Sequence, residues 1–183
     1  MYNRDNFRDI YADKPKDLTR RQYAEQIGLK PSTTLNTYLS KKAKRFLRDF
    51  NDKFRGGRTE IFDKRHIADL AVNIHHIFPE SDFPEICSYL ENLIALTPTQ
   101  HYSYAHPNGN TSRIDRAYQQ ICLIAKAGTI KETIGNESRE QIYGFDKFMN
   151  VLFVGLENEA FLEIEDGDFD DAISMINIAY GGS

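Results

Sequence analysis

Hydrophobic residues recur along most of this chain at helical spacing and alternate in one short interval near its middle. Tyr23, Ala24 and Ile27 share a face after Thr19, a residue type that caps helix N-termini, and Gly28 ends that run. Ser32 opens a second helix with Leu35, Tyr38 and Leu39 inward. Ala43, Phe46, Leu47 and Phe50 continue its apolar side until Arg55-Gly56-Gly57-Arg58 breaks it. Residues 1–17 are polar, with Tyr2, Phe7, Ile10 and Tyr11 available to dock a lead-in. In the alternating interval Leu70, Val72 and Ile74 face one way and Asn73 and His75 the other, as in a half-buried strand that Pro79 stops. A polar spacer over 80–91, with a short helix over 85–90, precedes a second apolar run at 92–96. Thr97 then caps a helix with Pro98 at its first position, and Pro107-Asn108-Gly109-Asn110 is a turn signal.

The rest reads as helix. Residues 113–126 place Ile114, Ala117, Tyr118, Ile121, Ile124 and Ala125 on one side. Residues 145–156 do the same with Phe148, Met149, Leu152 and Phe153, and residues 171–180 with Ile173 and Ile176. The expected fold class is α+β and mostly helical. A central strand, loop, strand, helix unit over 58–110 is flanked by a basic helical region over 1–57 and a helical region over 111–183 that packs on the core.

With 183 residues and 40% hydrophobic content the chain can bury a sizeable core. No run approaches the ~20 apolar residues of a membrane span and the N-terminus is charged, so the expected setting is cytoplasmic, away from membranes. Cys87 and Cys122 stand apart in apolar surroundings, which predicts reduced core thiols. The net charge of −4 conceals an asymmetry. Basic residues outnumber acidic ones nearly two to one over 1–65, and the balance reverses beyond. Lys41, Lys42, Lys44, Arg45 and Arg48 make the outer face of the second helix cationic. Together with the helix-turn-helix outline around Ala24 and Gly28, they form a candidate surface for double-stranded DNA, with Ser32, Thr33, Thr34 and Asn36 near the helix start. A solvated basic face accounts for the same pattern equally well. The acidic run over 157–171 lacks the ligand order of a calcium loop and reads as solvated loop and helix start.

Four of the five histidines lie between His75 and His106. Adjacent residues on a strand point to opposite faces, so the His75-His76 pair suits divided labour. One imidazole faces a metal and the other takes a proton near neutral pH. His101, on the following helix, can supply a second ligand.

The run His75-His76-Ile77-Phe78-Pro79, with Asn92 and then His101 nine residues later, resembles the HNH motif of the His-Me finger (ββα-metal) endonucleases. Thr97-Pro98-x-x-His101 is similar to the bacteriocin nucleases, and His75-His76-Ile77-Phe78-Pro79 with Glu91-Asn92-Leu93-Ile94-Ala95-Leu96-Thr97 to HNH proteins of restriction and phage type. The resemblance covers roughly 35 residues. It implies His75 as metal ligand, His76 as general base, Asn92 as the residue bracing the loop that orients the base, and His101 as second ligand. The bacteriocin pattern has its third ligand four positions after the second, where this chain has Ala105. His106, one further, is the candidate third ligand or else a contact to the scissile phosphate.

The implied activity is hydrolysis of DNA phosphodiester bonds with one divalent metal ion, Mg2+ by availability, with Mn2+, Ni2+ or Zn2+ suited to imidazole. Arg113 or Arg116 could grip the phosphate. A restriction or phage-defence role follows from similarity, and a homodimer would fit double-strand cleavage. The competing expectations are a helix-turn-helix regulator with a non-catalytic metal site and a toxin-like nuclease cutting RNA.

Overall fold

The computed structural model describes residues 15, 23, 26, 33–62, 69–106, 114–136, 138 and 140–181. Of the first predicted helix only Tyr23 and Gln26 are described, both helical; the rest of the helix-turn-helix outline before its second helix, the 107–110 turn, Ser32 and Arg113 lie outside the described residues. Among the described residues the fold is α+β and predominantly helical, with one small sheet. No helix among them is long and apolar enough to cross a membrane.

Helix α1 spans Thr33–Arg55. Gly56 and Gly57 terminate it, both in the left-handed region at φ +62° and +68°, where glycine carries no steric penalty. Its buried stripe is Ser40, Leu47, Phe50 and Asn51, spaced as a helix requires. Tyr38 and Phe46, expected inward, are exposed. They fall off that stripe, Tyr38 on the opposite side of the helix and Phe46 on its flank. The inner positions go instead to Ser40 and Asn51, polar residues that find partners inside.

Strands β1 (Asn73–His76) and β2 (Leu93–Leu96) pair antiparallel, with His75 opposite Ile94 and His76 opposite Leu93. The expected alternation through Leu70 and Val72 fails. Both are more than half exposed, and β1 starts only at Asn73. From Ile74 to His76 every residue is buried, because helices and loops cover both faces of this short strand. A two-residue period therefore had no solvent face to mark. The outer edge of β2 is covered by the chain leaving Gly57. The Glu60 amide donates to the Ala95 carbonyl at 3.0 Å, and the Ala95 amide donates back to Glu60 Oε1 at 2.9 Å. Side chain and backbone of one residue thus stand in for a third strand.

Between the strands, the helix expected over 85–90 is replaced by two 3-10 turns, Pro84–Ile86 and Leu90–Asn92. The Ile86 carbonyl accepts from Asn92 Nδ2 and the Cys87 carbonyl accepts from His76. Those carbonyls are thereby withdrawn from an α-helical ladder. After β2 comes a π-helical turn, Gln100–Ala105, then α2 (Arg116–Ile134), α3 (Phe145–Leu156) and α4 (Phe169–Ala179).

The apolar positions expected of α3 and α4 are largely buried as read, with Phe148, Leu152 and Ile176 fully enclosed. Helix α2 is rotated from the expectation. Ala117 and Ile121 are exposed, and the inner face is Cys122, Leu123, Lys126, Ala127 and Ile130. Lys126 is the cause, a cation that periodicity assigns to solvent and that the fold buries against Glu60. A single hydrophobic cluster joins Leu47 of α1, the sheet and α2 to α4. Phe78, just beyond β1, packs so closely on Gly155 of α3 that a side chain there would collide with its ring. Cys87 and Cys122 are buried free thiols, as expected.

Candidate metal centre

Within the unit expected over 58–110, three imidazoles come together. His75 projects from β1 toward the π-helical turn, which carries His101 and ends at His106. The ring centroids lie 5.2 Å (His75 to His101), 5.0 Å (His75 to His106) and 4.9 Å (His101 to His106) apart, with each pair close to perpendicular. One ring nitrogen from each falls within 4.8 Å of the others, a grouping that can hold a metal ion. Among the described residues the acidic run over 157–171 offers no comparable group.

The one-residue displacement of His106 has a structural counterpart in the winding of this segment. In an α-helix residues four apart share a face. The wider π turn carries that relation toward residues five apart, and an extra residue in a helix is commonly absorbed in this way, often at functional sites. The turn is anchored where it starts. The Gln100 amide donates to Thr97 Oγ1 at 3.2 Å and the Thr97 amide donates to Gln100 Oε1 at 3.0 Å, a reciprocal capping box. Thr97-x-x-Gln100 was legible as such a box in the sequence, beyond the Thr-Pro signal itself. The Thr59 hydroxyl also donates to Gln100 Oε1, at 2.6 Å, which ties the turn to the edge of β2.

Burial pushes the pKa of His75 down to about 2, helped by His101, His106, His76 and Lys44. Burial, His106 and Lys44 take His101 to about 4. Both imidazoles are held neutral, the form that coordinates a metal. His101 Nδ1 is buried and has no hydrogen-bond partner among the described residues. Such an atom is costly unless something binds it, so the donor set fits a cation.

His76 points to the other face of β1. Its Nε2 lies 2.9 Å from the Cys87 carbonyl oxygen and 3.3 Å from Ser40 Oγ. A carbonyl only accepts, so Nε2 carries the proton and Nδ1 keeps the lone pair. Burial and Lys44 lower its pKa to about 4 against the opposing pull of the Cys87 carbonyl and Glu80. Asn92 is fully buried, and its side chain hydrogen-bonds to the loop backbone. Its Oδ1 accepts from the Phe78 amide at 2.8 Å, and its Nδ2 donates to the carbonyls of Phe78 (3.1 Å) and Ile86 (3.3 Å). By clamping both ends of the loop, Asn92 fixes the peptide whose neighbouring carbonyl, that of Cys87, holds the imidazole.

The cationic residues of α1 divide. Lys41, Lys42, Arg45 and Arg48 are exposed, whereas Lys44 is half-buried toward the histidines. Burial lowers its pKa while Glu80 and Cys87 oppose that shift. Arg116 is committed elsewhere, donating to the Ala179 carbonyl at 3.0 Å and stacking on the Tyr180 ring. Sequence reasoning missed Ser40, Glu80 and the Cys87 carbonyl. Ser40 lies 36 residues from His76, and a lone serine on a basic helix carries no local signal. Comparison with known protein families, with characterised proteins and with solved structures finds no match to this chain.

Proposed function

We propose that this chain is a metal-dependent endonuclease of the HNH type, hydrolysing DNA phosphodiester bonds. The observation that carries the reading is the division of the two adjacent histidines. His75 joins His101 and His106 in a potential three-imidazole site, while His76 is held on the opposite face with its proton on Nε2 and its lone pair on Nδ1. When bound, a divalent ion would polarise a phosphate oxygen and offset charge on the leaving oxygen.

The residues supply the remainder. His76 Nδ1 takes a proton from water as the water oxygen bonds to phosphorus. The bond from phosphorus to the 3′ oxygen breaks, and that oxygen is protonated from solvent. Neutral His75 and His101, together with His106, provide three donors and leave a coordination position open, as in catalytic sites. Such a donor set suits Zn2+, Ni2+ or Mn2+ better than Mg2+, whose preference is for oxygen. Asn92 keeps the loop rigid, and the exposed cations of α1 offer the phosphate backbone a landing surface. A restriction or phage-defence role rests on motif similarity alone.

The test is plasmid nicking by the wild type and by His76→Ala with Mg2+, Mn2+, Ni2+ and Zn2+, beside a tRNA substrate at matched salt. The expected result is metal-dependent DNA nicking that His76→Ala abolishes. Metal and DNA binding without cleavage under any ion would sink the nuclease reading in favour of a regulator. Preferential cleavage of tRNA would replace DNA as the substrate.

A further inference from the structure

The Ser40 hydroxyl lies between two partners that arrive from different elements. It donates to Glu80 Oε2 at 2.9 Å, and its oxygen lies 3.3 Å from His76 Nε2. Because Nε2 already carries a proton directed at the Cys87 carbonyl, and the hydroxyl proton is committed to the carboxylate, the order is fixed. The Nε2–H is shared between the Cys87 carbonyl and Ser40 Oγ, and Ser40 passes its own hydrogen bond to Glu80. Ser40 is 2% exposed, on the inner stripe of α1. Glu80 sits in the turn after β1, near the Lys44 cation one helical turn beyond Ser40.

We propose that Ser40 and Glu80 are positioning residues for His76, a hydrogen-bonded relay from α1 and the post-β1 turn that fixes its tautomer and stabilises its imidazolium form. This rests on the nuclease reading and extends it, since it makes α1 part of the reaction centre as well as a cationic surface. When His76 Nδ1 accepts the water proton, the ring becomes positive. The Glu80 carboxylate, acting through the Ser40 hydroxyl, then lies on the far side of the ring from the new proton. No proton leaves Ser40 or Glu80 in the step. The relay also keeps the ring from turning its lone pair into the protein, where Nδ1 would be lost to catalysis.

The test uses the full chain, the variants Glu80→Gln and Ser40→Ala, and two readouts. Glutamine keeps an oxygen that can accept from Ser40 and removes the charge. A purely geometric role therefore predicts wild-type kcat for Glu80→Gln, whereas the relay predicts kcat lower by about 10- to 100-fold with KM for DNA unchanged. The second readout is nitrogen NMR of histidine-labelled protein, with the His76 ring assigned by its loss in His76→Ala. The expected state is protonated at Nε2 and bare at Nδ1, with the Nε2–H resonance displaced in both variants. An active wild type whose kcat is matched by Glu80→Gln, or a His76 ring protonated at Nδ1, overturns the inference. A wild type that cuts nothing while the Nε2–H resonance moves in both variants overturns the nuclease reading and leaves the relay standing.

Discussion

Lys126 of α2 and Glu60 meet at 2.6 Å inside the core, with both side chains almost completely shielded from solvent. Lys126 also reaches the Tyr143 hydroxyl at 3.4 Å, and Glu60 uses its other oxygen to close the edge of β2. The pair therefore joins the sheet that carries His75 and His76 to the helical half of the molecule. Burial pushes the Lys126 pKa down and Glu60 pulls it back up.

Breaking the pair from either side should be costly, because the survivor is a buried charge without compensation. Lys126→Met is expected to lower unfolding free energy by about 3–5 kcal/mol, and Glu60→Gln by a similar amount. The double variant Lys126→Met, Glu60→Gln should recover part of that loss, since neither charge remains. Urea unfolding of the four proteins checks this. Two single losses that add without recovery would show that the sites act separately.

The three-imidazole site predicts a metal-linked gain in stability. At about a hundred times its dissociation constant, a bound ion should raise unfolding free energy by about 2.7 kcal/mol. His75→Ala and His101→Ala should each abolish most of that increment. The π turn gives a sharper test. Deleting exposed Ser103 shortens the interval between His101 and His106 to the spacing an α-helix needs, and should preserve metal binding. His106→Ala should weaken it while the turn survives. Calorimetric titration with Zn2+ decides, and a deletion variant that no longer binds would separate the π geometry from the ligand spacing.

How much of this could be read beforehand depended on how local each cause was. The His75 and His76 split, the helix opening at Thr97 and the position of His101 follow from strand parity and capping within a few residues. The extents of α3 and α4 follow from a clean apolar period. What failed was set by partners distant in sequence. Lys126 turned α2 because Glu60 waits for it, Tyr38 and Phe46 gave way to Ser40 and Asn51, and the 85–90 helix lost its carbonyls to Asn92 and His76. Where a polar residue is buried with its partner, hydrophobic periodicity assigns it to the wrong side.

The depressed imidazoles fix the sign of a pH dependence in metal-free protein. His75 and His76 have folded pKa values of about 2 and about 4, below the unfolded value of about 6.5. The unfolded chain then binds protons that the folded one refuses. Their contribution is fully present above the unfolded pKa and is lost as pH falls through that value toward the folded ones. Going from pH 6.5 to 5.5 should cost about 1 kcal/mol for each of the two, with a smaller share from the less buried His101. Urea midpoints across pH 5 to 7, compared with His75→Ala, test it. A stability unchanged over this window would mean that the imidazoles charge without unfolding the site.

The exposed cations of α1 make a prediction that separates phosphate contact from a merely solvated face. Lys41, Lys42, Arg45 and Arg48 lie within two turns of one helix, all open to solvent, and none of them belongs to the buried stripe. Each one that neutralises a phosphate should contribute about 0.9 to the slope of log affinity against log salt for duplex DNA. Replacing all four by glutamine is thus expected to flatten that slope by up to about 3.6 and to weaken binding most strongly at low salt. Stability should barely change, because single exposed cations contribute little. Fluorescence anisotropy over a range of KCl concentrations measures the slope directly. If it is the same in wild type and variant, the face is solvated, and contact with DNA has to come from residues nearer the histidines, Lys44 first among them.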